Sequence, residues 1–455
     1  MGVLAKSIKV TPDISPMMQQ YQGIKKEYPD SILFFRMGDF YEMFNEDAKT
    51  ASRILQIALT ARNKKSNPVP MCGIPHHSAN LYITKLLKAG KKVAICEQTE
   101  DPKFAKGLVK REVVRIITPG TTLDDNNLDP KCDQFIASLY FAKNEIGLSV
   151  LDVSTGIFKV TQIEGDNALS VLGDELQKLE PREIIIPDAL KDERRPWLPT
   201  GEVFIHSWED GSFSFIEAYR NLVEHFKTQS LEGFGCENMR AAISSAGALI
   251  HYLRETQKSP LEHITALTPF PTHNYMALDQ CTLMSLELVQ SSEGSRKNSL
   301  LDLLDLSLTP MGARRIREWI LKPLIDAEKI QQRLSIVADF KNNPAGRKGL
   351  RDLLKKIFDM ERLLGRITLS ACNARDLVAL KTSLEVFPDL FKVLKSYASV
   401  QTYLENWDNL ENIYDLIERN ISDDPPLGLK EGNLIKSGCN EELDRLKNIT
   451  RQGKS

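Results

Sequence analysis

The sequence predicts a multidomain chain: a mixed α/β N-terminal domain, a second α/β domain, and then an α-helical domain. Three observations lead there. With 455 residues the chain exceeds the roughly 250 to 300 at which one hydrophobic core stops growing, so about three domains of roughly 150 residues are expected. Apolar runs of strand length alternate with helical spacing as far as Ile186, the pattern of sheets covered by helices. Beyond Pro260, Pro269 and Pro271, capping residues and helical spacing dominate.

Ser15 and Pro16 read as an N-cap and first helical residue, with Met17, Tyr21 and Ile24 recurring on one face. Ser31 to Met37 is too short an apolar run for a helix and predicts a strand. A turn at Gly38 follows, then a helix over Asn45 to Gln56, whose acids come early and cations late, as the helix dipole prefers. Val69 to Ile74 and Lys91 to Glu97 read as buried strands flanking a helix capped by Ser78, and Glu112 to Ile117 as a further strand. Thr118-Pro119-Gly120 is a turn signal that closes this first domain, placed at residues 1–121.

Three strand-like runs fill Gln134 to Thr161, and Leu169, Leu172, Leu176 and Leu179 have helical spacing that Pro181 stops. Glu183 to Ile186 returns as a strand, so residues 122–270 form a second α/β domain, with a linker expected at its closing prolines. In the helical domain, residues 271–443, Thr309-Pro310 caps a helix carrying Ile316, Trp319 and Ile320. Asp326 caps another whose apolar face is Ala327, Ile330, Leu334 and Val337. Glu441 to Ser455 begins a charged helical pattern with no stop signal, so residues 444–455 are expected to be the start of an interrupted element.

Hydrophobic residues make up 42% and charged ones 26%, enough to bury several cores, which excludes wholesale disorder. No apolar run approaches the roughly 18 residues of a membrane helix. The first residues lack the apolar core of a signal peptide, and Lys6 stands where myristoylation needs Ser or Thr. Cys72, Cys96, Cys132, Cys236, Cys281, Cys372 and Cys439 form no Cys-x-x-Cys pair. Such a set suits neither a disulfide framework nor a zinc site, and points to a reducing cytosol. The charge is uneven: residues 1–120 hold 19 Lys and Arg against 11 Asp and Glu, a net of +8, and the rest 40 against 50, a net of −10. A basic module draws polyanions at long range, which brings nucleic acid into view beside the plainer reading of a solvated face.

Several motifs bear on chemistry. Gly453-Lys454-Ser455 has the tail of a phosphate-binding loop, but Asn448 stands where the loop needs glycine, so no ATPase site is expected in this chain. His76 and His77 are neighbours that point apart and read as a turn before a metal site. Asp152 is a turn aspartate more readily than one carboxylate of a metal-dependent nuclease. Gly38-Asp39-Phe40-Tyr41-Glu42-Met43-Phe44 differs in kind: it sets aromatics beside an acid within the basic module. An accessible ring there can stack on a base or wedge between base steps, while a carboxylate repelled by phosphates is tolerated only where it meets a specific donor; taken alone, three such aromatics are more often core.

Met17-Met18-Gln19-Gln20-Tyr21, Phe35-Arg36-Met37-Gly38-Asp39-Phe40-Tyr41-Glu42, Pro70-Met71-Cys72-Gly73-Ile74-Pro75-His76-His77, Ala94-Ile95-Cys96-Glu97-Gln98 and Thr118-Pro119-Gly120-Thr121 follow one another in the order of a known family. Together they resemble the mismatch-binding domain of the bacterial MutS family of DNA mismatch-repair proteins. The likeness continues through Thr309-Pro310-Met311-Gly312 and reaches Gly438 to Leu446, covering essentially the whole chain.

The resemblance implies a mismatch-recognition domain at residues 1–121, a ribonuclease-H-like connector at 122–270, a helical core or lever domain at 271–443, incomplete, and the start of a clamp domain at 444–455. It implies a homodimeric sensor that encircles double-stranded DNA carrying mismatches or small insertion loops, recruits the MutL partner, and in full-length form uses ATP and magnesium to become a sliding clamp. By the same likeness Phe40 would stack on the mispaired or unpaired base and Glu42 would hydrogen-bond it, with Tyr41 packing inward. Arg62, Lys64 and Lys65 would meet phosphates, and Met71 would lie near the minor groove. A cytoplasmic, nucleoid-associated protein without membrane contact is implied. The alternative is a protein-interaction fragment with little DNA binding of its own.

Overall fold

The computed structural model describes residues 15–62, 68–100, 107–122, 128–193, 195–199, 201, 203–270, 272–426, 428 and 431–452. The chain divides into two compact units, Met1–Asp124 with Leu253–Ser259, and Asp125–Tyr252 with Pro260–Ser455.

The first unit runs α1 (Pro16–Glu27), β1 (Ser31–Met37), β2 (Phe40–Phe44), α2 (Asn45–Leu55), β3 (Thr60–Arg62), β4 (Val69–Pro75), α3 (Ala79–Lys88), β5 (Lys92–Gln98) and β6 (Arg111–Ile117). The strands form one sheet in the order β3-β4-β2-β1-β5-β6. β1 and β5 are parallel, and the other ladders are antiparallel. Alternation along each strand sorts the side chains into two cores. Leu33, Phe35 and Phe44 pack with Met17, Met18 and Tyr21 of α1 on one face. Ile32, Phe34, Tyr41 and Met43 pack with Ala48, Ala51 and Ile83 of α2 and α3 on the other. Asp47 ties the layers: it accepts from the Leu33 amide at 3.0 Å and the Tyr21 hydroxyl at 3.2 Å, and pairs with Lys25 at 2.8 Å. A buried carboxylate is stable there because its acceptor sites are met by specific donors.

Two local expectations change. The segment after Gly38, read as a turn into a helix, contains β2, because Phe-Tyr-Glu-Met-Phe alternates inward and outward once Gly38-Asp39 has reversed the chain. Ser78 precedes α3 but does not cap it: its hydroxyl donates back to the Pro75 carbonyl at 3.2 Å, and the turn His76–Ser78 is 3-10.

The second unit opens with β7 (Ile136–Phe141), β8 (Glu145–Asp152), β9 (Ile157–Glu164), α4 (Ala168–Leu179), β10 (Glu183–Pro187), β11 (Phe204–Trp208), α5 (Phe215–Phe226), α6 (Arg240–Gln257, of which Leu253–Gln257 fall in the first unit) and β12 (Thr268–Pro269). Its sheet has the order β11-β10-β7-β8-β9-β12. Leu172, Leu176 and Leu179 of α4 cover one side with Leu139, Leu148 and Ile184. α6 lies so close to β8 that a Cβ on Gly147 would fall 1.9 Å from the Ala241 carbonyl oxygen. Buried Ser245 donates to Ser149 Oγ at 2.7 Å. The expected linker at the prolines is not one: Leu261, Ile264 and Leu267 are buried. Pro269 sits in β12, an edge strand parallel to β9, where a missing N–H is tolerated.

Helices follow: α7 (Gln280–Ser285), α8 (Leu300–Leu304), α9 (Pro310–Leu321), α10 (Ala327–Asn342), α11 (Pro344–Leu354), α12 (Met360–Thr368), α13 (Ala374–Glu385), α14 (Phe387–Leu394), α15 (Gln401–Leu404), α16 (Glu411–Asn420) and α17 (Glu441–Gln452). Thr309 caps α9 through the Gly312 amide at 3.2 Å, and Asp326 caps α10 through the Glu328 amide at 2.9 Å. The face of α9 that is buried is Ala313, Arg314 and Leu321, while Trp319 is exposed. On α10 the apolar face carrying Ile330, Leu334 and Val337 is exposed. Arg314 binds Asp359 through both carboxylate oxygens at 2.7 and 2.8 Å, Glu361 at 2.6 Å and the Pro130 carbonyl at 2.9 Å. Arg362 reaches the Asp129 and Cys132 carbonyls at 3.0 and 2.7 Å. Gly365 lies where a Cβ would be 2.2 Å from the Ser154 carbonyl oxygen.

Candidate nucleic-acid interface

The β1–β2 hairpin builds the candidate site. Met37 pairs with Phe40, leaving Gly38 and Asp39 as the turn, and Gly38 takes φ +59°, a backbone that β-carbon sterics deny most residues. The His76 amide donates to the Asp39 carbonyl at 2.9 Å and ties this turn to the end of β4. Phe40 leaves the turn 48% exposed. An aromatic left in water next to a glycine turn is not serving the core.

Period-2 alternation puts Glu42 on the face of Phe40 and sends Tyr41 the other way. Tyr41 packs on Phe34 with ring centroids 5.7 Å apart, and its hydroxyl donates to the Glu97 carboxylate. Burial, with the Glu97 charge, pushes the phenol well above its usual range. Glu42 is partly buried, and burial raises its carboxyl above the ordinary value against the opposing pull of Arg62 and Arg111. Arg62 Nη1 stands 3.2 Å from Glu42 Oε2. Gly73 is directly opposite Glu42 in the β2–β4 ladder. A Cβ there would be 3.7 Å from Glu42 Cγ and 4.0 Å from Phe40 Cδ1, so the floor between the two side chains stays open.

Two arginines brace the hairpin. Arg111 donates to the Arg36 carbonyl at 2.8 Å, to Gln20 Oε1 at 3.1 Å and to the Val109 carbonyl at 3.0 Å, and its guanidinium lies 4.9 Å from the Phe35 ring centroid. Arg36 lies over the Tyr41 ring at 5.5 Å and donates to the Gly38 carbonyl. A strand end held this way presents Phe40 and Glu42 on a rigid support.

The structure therefore brings together Phe40, Glu42 and Arg62. Met71 shares their face but packs with the α1-side core, opposite Phe44 and Thr60, rather than standing free. Lys64 and Lys65 lie outside the described residues. Sequence reasoning missed Arg111, Arg36 and Gly73; the one available signal was Arg111, a charged residue at an inward position of an apolar strand. Asp152 is a turn aspartate: its oxygens accept from the Ser154 amide and hydroxyl at 2.8 and 2.6 Å and from the Gln134 amide at 2.8 Å. His76 and His77 sit edge to face in the turn. Among the described residues there is no group of three or more His, Cys, Asp or Glu placed to hold a metal ion. Among them, too, no helix is long and apolar enough to cross a membrane.

Comparison with known proteins gives this hairpin a context. Residues 15–126 match the family model MutS domain I, residues 134–265 MutS domain II and residues 281–452 MutS domain III. The chain is 47% identical over 450 residues to the DNA mismatch repair protein MutS of Halothermothrix orenii, covering 97% of this chain and 50% of that protein. It is 42% identical over 448 residues to the protein of the same name from Symbiobacterium thermophilum, covering 97% of this chain and 51% of that protein. The chain thus spans about half the length of the curated relatives it matches. With the family models for MutS domains I, II and III matched in order along it and the β1–β2 hairpin lying inside the first match, the chain belongs to the MutS family.

Proposed function

We propose that this chain recognises mismatched DNA in DNA mismatch repair, with Phe40 wedging at a mispaired or unpaired base of a kinked duplex and Glu42 hydrogen-bonding that base. One observation carries the reading: an exposed aromatic and a partly buried carboxyl share one face at a braced hairpin tip. A mismatch has already lost pairing and stacking energy, so displacing its base and bending the helix costs least there. Discrimination then rests on deformability more than on a base code. Phosphate contacts from basic residues of the first unit supply affinity without regard to sequence.

In this reading the sheet of the second unit is a ribonuclease-H-like connector and its helices a core or lever domain. Contact with MutL, homodimer formation, and an ATP- and magnesium-dependent sliding clamp belong to the full-length family protein, in the cytoplasm on nucleoid DNA. The test is fluorescence anisotropy of this chain against a single-T-insertion duplex and its paired control at two salt concentrations. Preference for the lesion is expected; equal affinity for both duplexes would sink the reading.

A second reading, a protein-interaction fragment with little DNA affinity of its own, draws on the exposed Ile330, Leu334 and Val337 stripe of α10. Capture of MutL that survives nuclease treatment, together with negligible binding to either duplex, would favour it.

A further inference from the structure

The pairing of Arg62 with Glu42 links two roles that are otherwise separate. Arg62 ends β3, the edge strand, and its guanidinium reaches over β4 to Glu42 on β2. The pair is neither dry nor fully wet: the side chains are 37% and 19% exposed. An ion pair so placed is weak enough to be exchanged for another anion, and a guanidinium binds phosphate with the same planar fork it offers a carboxylate. Gly73 contributes no side chain beside Glu42.

Consider a duplex arriving at this face. Its phosphates compete for Arg62, and each phosphate neutralised releases counterions, which drives the exchange at low salt. Once Arg62 turns to the backbone, Glu42 loses its nearest cation and keeps only Arg111, whose guanidinium is committed to Arg36, Gln20 and Val109. The freed carboxyl is then costly beside paired DNA, where it faces acceptors and phosphate charge. It is relieved only where a displaced base supplies a hydrogen-bond partner.

We propose that Arg62 is a latch: it holds the Glu42 carboxylate while no duplex is bound and moves to a backbone phosphate when one docks, so that one side chain couples phosphate contact to base discrimination. This rests on the mismatch reading given above. Arg62 is here a positioning residue for Glu42 as well as a phosphate contact. Backbone contact comes first, and the penalty that rejects paired DNA is switched on by it.

The test is a double-mutant cycle on the 455-residue chain, with Glu42→Gln, Arg62→Met and the double variant titrated with paired and T-insertion duplexes over a range of salt. Glu42→Gln is expected to tighten binding to paired duplex by about threefold or more, and this gain is expected to be smaller when Arg62 is already Met, because the carboxylate then gives up no ion pair on binding and only its repulsion by the duplex is relieved. Arg62→Met is expected to reduce the slope of log affinity against log salt by about 0.9, one phosphate contact. An equal gain from Glu42→Gln in both backgrounds overturns the latch, and so does an unchanged salt slope in Arg62→Met. Thermal melts check that each variant folds. Should Arg62→Met not fold, Arg62→Lys replaces it, with the slope expected to persist and the coupling to shrink; full coupling with lysine overturns the geometric part. Phe40→Ala separates the two proposals: full lesion preference without the ring ends the wedge reading, while the cycle on paired duplex still reads the latch.

Discussion

Gly73 stands directly across from Glu42 in the β2–β4 ladder and supplies the open floor beneath Phe40. A Cβ would meet its neighbours only at ordinary contact distances, so Gly73→Ala is expected to fold and bind much as before. Gly73→Val adds bulk between the ring and the carboxyl. It is expected to change stability by less than about 1 kcal/mol on an exposed strand position, while reducing preference for a T-insertion duplex. Melting curves beside anisotropy titrations check both halves.

Phe40 and Tyr41 are adjacent aromatics with opposite tasks. Phe40→Ala is expected to leave the melting temperature nearly unchanged and to remove lesion preference, since base–aromatic stacking is worth about 1 to 3 kcal/mol per base. Salt-sensitive binding should persist. Tyr41→Ala empties a buried site against Phe34 and is expected to cost about 3 to 5 kcal/mol. Denaturant unfolding distinguishes them: a large loss from Phe40→Ala would place its ring in the core.

Arg314 is a buried cation with bonds to Asp359, Glu361 and the Pro130 carbonyl. Removing one partner of such a set leaves charge uncompensated in low dielectric. Arg314→Met is therefore expected to destabilise the second unit by about 3 to 5 kcal/mol with little effect on the hairpin. Hydrogen exchange should report faster opening around α9 and α12 than in β1 and β2; uniform protection would contradict this.

Two aspartates of the second unit give opposite pH signatures. Burial, then the Asp152 charge, pushes the Asp133 carboxyl from 3.8 up to about 6. Its contribution to stability is complete below its unfolded value and is lost as pH rises toward 6. Burial also opposes ionisation of Asp305, but hydrogen bonds from Lys131 and Ser307 prevail and hold it at about 2. That contribution is present above the unfolded value and is lost as pH falls toward 2. Melting temperature against pH should flatten for Asp133→Asn between about pH 4 and pH 6. For Asp305→Asn it should drop at neutral pH and converge with the unsubstituted chain in acid.

Much of the first sheet is legible because single strands announce themselves: the apolar run Ser31–Met37 coincides with β1 end for end. β2 is not, since the hairpin tip carries turn residues and an aromatic cluster that reads equally as a loop. β3 escaped because Thr60–Arg62 is too short to show a period. The stripe on α10 illustrates the limit of periodicity: spacing shows that Ile330, Leu334 and Val337 share a face, not that anything among the described residues covers it. At the site, the segment Gly38 to Phe44 stands out locally for its aromatics beside an acid, while the choice of Phe40 and Glu42 within it comes from the family resemblance. The Arg62 contact and the Arg111 brace depend on strands brought together by sheet order, which no local spacing records.

The absent β-carbon of Gly365, set against the Ser154 carbonyl, has a mechanical consequence. Close backbone contact leaves no compliant side-chain layer to absorb shear between α12 and the β8–β9 turn, and Arg362 pins the same seam by donating to Ser154 Oγ at 3.3 Å. A load applied to α12 is thus expected to pass to that end of the central strands as displacement, not to be dissipated by rotamer changes. At that seam α12 and the β8–β9 turn are expected to move as one piece rather than to slide past each other.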